Sequence, residues 1–283
     1  MILKHLLGET RTSLAAGGVE EAPLEAELLL MKALGLNRAS LYAYPERPVT
    51  REELNSLSRD LSRRLTGEPW SYISGHREFY GLDMAVGPGI FVPRPETELL
   101  VDLAIRMAGS LPRRRPLRIA DVGTGSGAIA VALALHLPHA IVYATDVSTL
   151  ALETARRNCM RHKVQERVVL MEGNLLGPVP EPVDLVVSNP PYIPREDIPY
   201  LPPEVRWEPP EALDGGVDGL EVIRSLITQA LERLRQPGGL LVETSPQQAD
   251  EVRFIAENML PGHTFEIFRD LAGGERALWA TIA

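Results

Sequence analysis

From Leu117 to Ile282, short and almost wholly apolar runs alternate with longer stretches of helical periodicity. The runs LRIADV, AIVYATD, VVLMEG and VDLVVSN predict strands, as do GGLLVETS, HTFEIFRD and RALWATI. Between them, GAIAVALALHL, STLALETARRNCMRH, GLEVIRSLITQALERL and the segment Gln247–Met259 predict helices, with Ser148 as an N-cap. Apolar strands separated by helices imply a parallel sheet covered on both faces. The last two strands have only LAGG between them, so they must pair as a hairpin and one must run antiparallel.

Ahead of this region the periodicity is helical. MILKHLLGETRTSL reads as an amphipathic helix with Lys4 and His5 inside its apolar run. Leu24, Leu28 and Met31 then share helical spacing, with Gly35 as a stop. Thr50 followed by Glu53 forms a capping box, after which Leu54, Leu57, Leu61 and Leu65 make one apolar face that Gly67 and Pro69 end. A small helical bundle is expected over residues 1–76. The stretch REFYGLDMAVGPGIFVPR places Gly87-Pro88-Gly89 between two β-prone runs, predicting a β-hairpin linker over 77–94. A helix is expected to start near Pro95, opening an α/β domain over 95–283.

Charge refines this division. The formal net charge is −9, and it falls unevenly: residues 1–78 are close to neutral, and the rest carries the acidic excess. That excess disfavours nucleic acid as a partner, because wrapping a phosphate backbone needs basic surface. Cys159 is the single cysteine, which excludes an internal disulfide and points to a reducing compartment. No run approaches the length of a membrane span and no secretory leader is evident, so the expected location is cytoplasmic. A monomer is expected. Cys159 and His162 are one helical turn apart but lack a third ligand nearby, and Arg113-Arg114-Arg115 reads as a solvated loop, so no metal site is expected.

The turn after the first strand of the α/β domain is ADVGTGSGAIA. Its glycines permit a sharp backbone turn and close approach to a ligand. Asp146 ends the next strand, 23 residues beyond Gly123, where a carboxylate would accept bonds from ribose hydroxyls. Gly123, Gly125 and Ala128 satisfy a dinucleotide pattern that would suggest NAD. The pattern acidic-x-G-x-G-x-G accounts for more of the loop, because it also uses Asp121 and Gly127, and it points to S-adenosylmethionine.

After the fourth strand of that domain comes Asn189-Pro190-Pro191-Tyr192. Ligands of open α/β sheets collect at such strand ends. The Asn side-chain oxygen and the Pro190 carbonyl are acceptors, the prolines stiffen the turn, and Tyr192 adds a flat face. Together they suit an NH₂ group on a planar system, whose delocalised lone pair makes it a poor nucleophile until it is held in line with a methyl donor.

In order along the chain, GEPWSYISGHREFYGL, FVPRPETELLV, DVGTGSGAIA, VSNPPYIP and RWEPPEALDGGVDGL resemble the HemK/PrmC family of protein-glutamine methyltransferases over essentially the whole length. The resemblance implies a class I S-adenosylmethionine-dependent methyltransferase fold, Rossmann-like, preceded by a small helical-bundle domain. Its sheet would be mostly parallel and seven-stranded, with an antiparallel C-terminal hairpin. It also implies transfer of a methyl group to the side-chain amide nitrogen of the glutamine in the Gly-Gly-Gln motif of peptide chain release factors. By resemblance Asp121, Gly123, Thr124, Gly125, Ser126 and Gly127 belong to the donor loop and Asp146 holds the ribose. Asn174 and Leu175 stand at donor contacts, with Asn174 where many members carry Asp. Asn189, Pro190, Pro191 and Tyr192 would hold the glutamine, Asn189 touching both ligands, and Phe91, Arg94 and Glu96 are expected to wall the site. Eight prolines from Pro190 to Pro210 read as a stiff lid admitting an extended peptide loop. The same tetrapeptide serves enzymes acting on exocyclic amines of nucleic-acid bases, so a base amine and a ribosomal-protein glutamine remain alternative targets.

Overall fold

In the computed structural model, which describes residues 1–111 and 116–282, the chain divides into two units. Residues Met1–Gly75 with Pro202–Trp207 form the first, and His76–Leu201 with Glu208–Ala283 the second. The Arg113-Arg114-Arg115 loop lies outside the described residues.

The first unit holds α1 (Leu3–Ala16), α2 (Ala22–Leu34), α3 (Arg38–Ala43), α4 (Arg51–Leu65) and α5 (Trp70–Ser74). Thr50 caps α4 by accepting from the Glu53 N–H at 3.2 Å, while Glu53 accepts from the Thr50 N–H at 2.8 Å. Gly35 ends α2 in the left-handed region at φ 63°. The buried face of α2 differs from the predicted one: Ala22, Ala26, Leu29 and Leu30 are buried, Leu28 and Met31 are half-buried, and Leu24 is exposed. Three consecutive leucines at 28–30 leave the stripe ambiguous in sequence, and small Ala22 and Ala26 suit the side that packs against neighbouring helices. On α4, likewise, Leu57 is buried and Leu65 exposed. The excursion Pro202–Trp207 joins this unit through specific bonds. Arg64, itself buried, pairs with Glu25 and Glu204, and the Trp207 indole N–H donates to the Thr66 carbonyl at 3.4 Å. Those residues were expected to belong to the α/β domain.

The second unit opens with a hairpin of β1 (His76–Phe79) and β2 (Leu82–Ala85). Its reversal is at Tyr80-Gly81, with φ of 54° and 72°, instead of at Gly87-Pro88-Gly89. Two positive-φ residues match the right-handed twist of a two-residue hairpin. The Gly-Pro-Gly run precedes an extended strap, residues 90–94, in place of a second strand. A 3₁₀ turn at Pro95–Thr97 then leads into α6 (Glu98–Ser110).

The main sheet contains β3 (Leu117–Val122), β4 (Ala140–Asp146), β5 (Val168–Glu172), β6 (Val183–Ser188), β7 (Leu234–Glu243), β8 (Thr264–Arg269) and β9 (Glu275–Ile282). Their order is β5-β4-β3-β6-β7-β9-β8, and β9 runs antiparallel to both β7 and β8. One face packs on α6, α7 (Ala128–His136) and α8 (Thr149–Arg161), where Leu100, Ile119, Leu133 and Leu185 are fully buried. The other carries α9 (Glu221–Arg233) and α10 (Ala249–Met259) over Val186, Leu240, Val242 and Leu278. The chain runs outward from β3 through β4 to β5 and then restarts at β6 on the opposite side of β3. A crevice therefore opens at the carboxyl ends of β3 and β6, where ligands of such sheets bind.

Candidate active site

A cavity of about 280 Å³ occupies that crevice, and its wall collects residues from far apart in the chain. Gly123, Thr124, Gly125 and Ser126 line it after β3, Asp146 at the end of β4, and Asn174 and Leu175 after β5. Asn189, Pro190, Pro191 and Tyr192 line it after β6, and Phe91 comes from the strap.

The glycine loop is tied down from two sides. The Gly123 and Thr124 N–H groups both donate to the Thr145 carbonyl at 2.9 Å, and the Gly125 N–H donates to Asp146 Oδ2 at 2.8 Å. Gly125 adopts φ 56°, and a Cβ there would meet nothing within 4 Å: the backbone is left-handed beside open space. Asp121 and Gly127 are absent from the wall. Asp121 is fully buried beneath the loop, accepting from the Thr124 hydroxyl at 2.6 Å and the Ala130 N–H at 3.0 Å, so it braces the loop from below. Burial pushes its carboxyl up to about 7. Gly127 opens α7 at φ 82°, where a Cβ would lie 3.0 Å from that of Ala155. Its role is close helix packing.

These residues fit S-adenosylmethionine. Asp146 reaches the cavity with its Oδ1 accepting from the Ser148 N–H at 2.9 Å. Burial raises its carboxyl above the usual range while the Ser148 and Gly125 N–H bonds pull against it. Each oxygen retains lone-pair capacity for a hydroxyl. Leu175 lines the cavity at φ 50°, a conformation that costs a branched side chain energy and is found where the surroundings enforce it.

The tetrapeptide turn is held from behind. The Ser188 hydroxyl donates to the Val122 carbonyl at 2.8 Å, fixing β6 to β3. Asn189 Nδ2 donates to Thr97 Oγ1 at 3.0 Å, and nothing among the described residues donates to Asn189 Oδ1 or to the Pro190 carbonyl. The Ile193 N–H donates to Leu213 O at 3.0 Å and the Gly215 N–H to Ile193 O at 2.9 Å, closing the base of the proline-rich excursion. Gln248 Nε2 donates to Tyr192 O at 3.0 Å. Burial pushes the Tyr192 phenol up to about 12, so it stays neutral.

The strap departs from expectation. Phe91, Pro93 and Thr97 reach the wall, whereas Arg94 and Glu96 do not. Phe91 and Pro93 present their side chains to the cavity, while Arg94 is drawn away from it by Glu208. Arg94 pairs with buried Glu208 and stacks its guanidinium 5.0 Å from the Phe91 ring centre, and the Val92 N–H donates to Glu208 at 3.2 Å. Thr97 carried no signal in the sequence, where it reads as an ordinary residue at a helix start. Glu211 and Leu213 also line the cavity, brought there by the excursion's return. Elsewhere Cys159 is buried, its thiol pushed up to about 11 by that burial, and His162 Nε2 bonds the Asp83 carbonyl at 3.0 Å.

Residues 5–75 match the PrmC N-terminal domain and residues 100–199 the methyltransferase small domain. The release factor glutamine methyltransferase of Moorella thermoacetica is 42% identical over 99% of this chain and 98% of its own. That of Geobacter sulfurreducens is 45% identical over 88% of this chain and 86% of its own. Among solved structures, the hMettl16 catalytic domain with the MAT2A 3′UTR hairpin 6 aligns with a TM-score of 0.56 at 18% identity. That alignment covers 78% of this chain and 81% of that one, and at this identity it speaks for the fold alone. Full-length identity of this order, with the glycine loop and the Asn-Pro-Pro-Tyr turn on one cavity wall, places the chain in the release factor glutamine methyltransferase family.

Proposed function

We propose that this protein transfers a methyl group from S-adenosylmethionine to the side-chain amide nitrogen of the glutamine in the Gly-Gly-Gln motif of peptide chain release factors. One observation carries the reading: Asn189 Oδ1 and the Pro190 carbonyl are two acceptors on a rigid stretch of cavity wall with no donor of their own among the described residues. A primary carboxamide offers two N–H groups to such a pair. When bound, S-adenosylmethionine supplies an electrophilic methyl carbon on a sulfonium. Asn189 and Pro190 orient the amide nitrogen toward it and stabilise the positive charge that grows there. The nitrogen becomes acidic only after alkylation, so no early base is needed. The α/β unit carries this chemistry, and we assign recognition of the release factor to the helical unit, residues 1–75.

The test is transfer of labelled methyl from S-adenosylmethionine to a purified release factor and to its Gln→Ala variant. Ribosomal proteins and nucleic acids are added as competing acceptors. Label on the wild-type release factor alone is expected. Equal label on both would refute the glutamine assignment, and preferential label on a competitor would move the target.

A further inference from the structure

The pairing of β6 with β7 ends at Ser188–Val242, so Asn189 and Glu243 are the next residues of two neighbouring strands. Glu243 is 1% exposed, and among the described residues its Oε2 has no hydrogen-bond partner. Its carboxyl lies against the Thr97 side chain, which in turn accepts from Asn189 Nδ2 at 3.0 Å. Buried polar groups are ordinarily satisfied, so a buried carboxylate with an unpartnered oxygen on the last residue of β7, beside the catalytic turn, calls for an account.

The charged and titratable groups facing it are Arg276 from β9, Arg94 and Glu96 from the strap and its turn, and Tyr192 from the far side of the tetrapeptide. Neither cation is committed to it. Arg276 donates to Asp270 at 3.0 Å, and Arg94 pairs with Glu208. Burial pushes the Glu243 carboxyl up to about 7.

Thr97 has one hydroxyl proton and acceptor lone pairs. An ionised carboxylate can only accept, so it draws that proton to itself. Thr97 is then left as a pure acceptor toward Asn189, whose amide must present Nδ2 to Thr97 and Oδ1 to the cavity. A protonated Glu243 can donate to Thr97 instead. The hydroxyl proton is released toward Asn189, the amide reverses, and its N–H₂ group opposes the N–H₂ of the acceptor glutamine. We propose that Glu243 is a positioning residue: its ionised carboxylate, acting through Thr97, sets the direction of the hydrogen-bond chain that turns the Asn189 oxygen toward the acceptor amide. The proposal rests on the glutamine-methylation reading above.

The test measures kcat, KM for the release factor and donor affinity across pH for the wild type and for Glu243→Gln, Glu243→Asp, Thr97→Val and Thr97→Ser. Wild-type kcat is expected to fall about tenfold per pH unit on the acid side of a limb near 7. Glu243→Gln and Thr97→Val should lose roughly 10- to 100-fold in kcat. Both should also lose the acid limb, with donor affinity unchanged. Thr97→Ser and Glu243→Asp should restore much of the rate together with the limb. A Glu243→Gln enzyme with wild-type kcat, or one that keeps the acid limb, would overturn the proposal, as would losses confined to KM. If Glu243→Gln does not fold, the Thr97→Val and Thr97→Ser pair decides by the same limb. A wild-type enzyme that fails to label the release factor would instead indict the underlying reading.

Discussion

Replacing Asn189 by alanine isolates the acceptor on which methyl transfer depends. The turn should survive the change. Ser188 stays anchored to the Val122 carbonyl at 2.8 Å, Tyr192 O keeps its bond from Gln248 at 3.0 Å, and the two prolines restrict the backbone between. What disappears is one acceptor facing an N–H whose nitrogen gains positive charge during the reaction. A hydrogen bond to a charged group contributes about 1.5–3 kcal/mol. Removing one preorganised partner of a developing charge costs about 2.7–4 kcal/mol in comparable sites. A loss of about 2–4 kcal/mol corresponds to roughly a 30- to 1000-fold lower kcat. Single-turnover transfer of labelled methyl to the release factor reads this directly, and calorimetric titration with S-adenosylhomocysteine reads donor affinity, expected to change less than about tenfold. A kcat within about threefold of wild type would refute the reasoning. A drop in donor affinity matching the drop in kcat would assign Asn189 to donor binding alone.

Other expectations follow from the same structure. Asp121 and Glu243, raised from 3.8 and 4.5 to about 7, hold protons more tightly folded than unfolded. Their contribution to stability is therefore complete below about pH 4 and lost as pH rises through about 7. Calorimetric Tm should fall between about pH 5.5 and pH 8, by an amount on the order of a few kcal/mol in stability, and a rising Tm would contradict it. Gly219→Ala places a Cβ 2.4 Å from Tyr192 O at φ 77°, so turnover should collapse while donor binding persists; a fully active variant would show that this contact yields freely. Thr50→Ala removes one half of the α4 capping box and should lower stability by about 1 kcal/mol in urea unfolding, with turnover unchanged well below the transition.

Element types and order were legible along the chain because each depends on neighbours in sequence. Short apolar runs and period-3.6 patterning, the Ser148 and Thr50 caps and the Gly35 stop all act within a turn or two of where they are written. The glycine loop and the Asn-Pro-Pro-Tyr turn were legible for the same reason, since close backbone approach and a stiff acceptor turn are properties of short segments. Which side of a local segment meets the ligand was not. Asp121 and Gly127 belong to the motif yet brace it from behind, and the strap offers Phe91 and Pro93 while hiding Arg94, because orientation depends on what packs against the opposite side. The face of α2 escaped prediction likewise, three leucines in a row leaving the choice to neighbouring helices.

Partnerships across long stretches of chain belong to the tertiary structure alone. Thr97 meets Asn189 across 92 positions, Glu208 meets Val92 across 116, and Glu204 meets Arg64 across 140. No local propensity encodes such pairs. Within the α/β unit the sheet order β4-β3-β6-β7 places the ends of β6 and β7 side by side and sets Glu243 next to the turn that Asn189 begins.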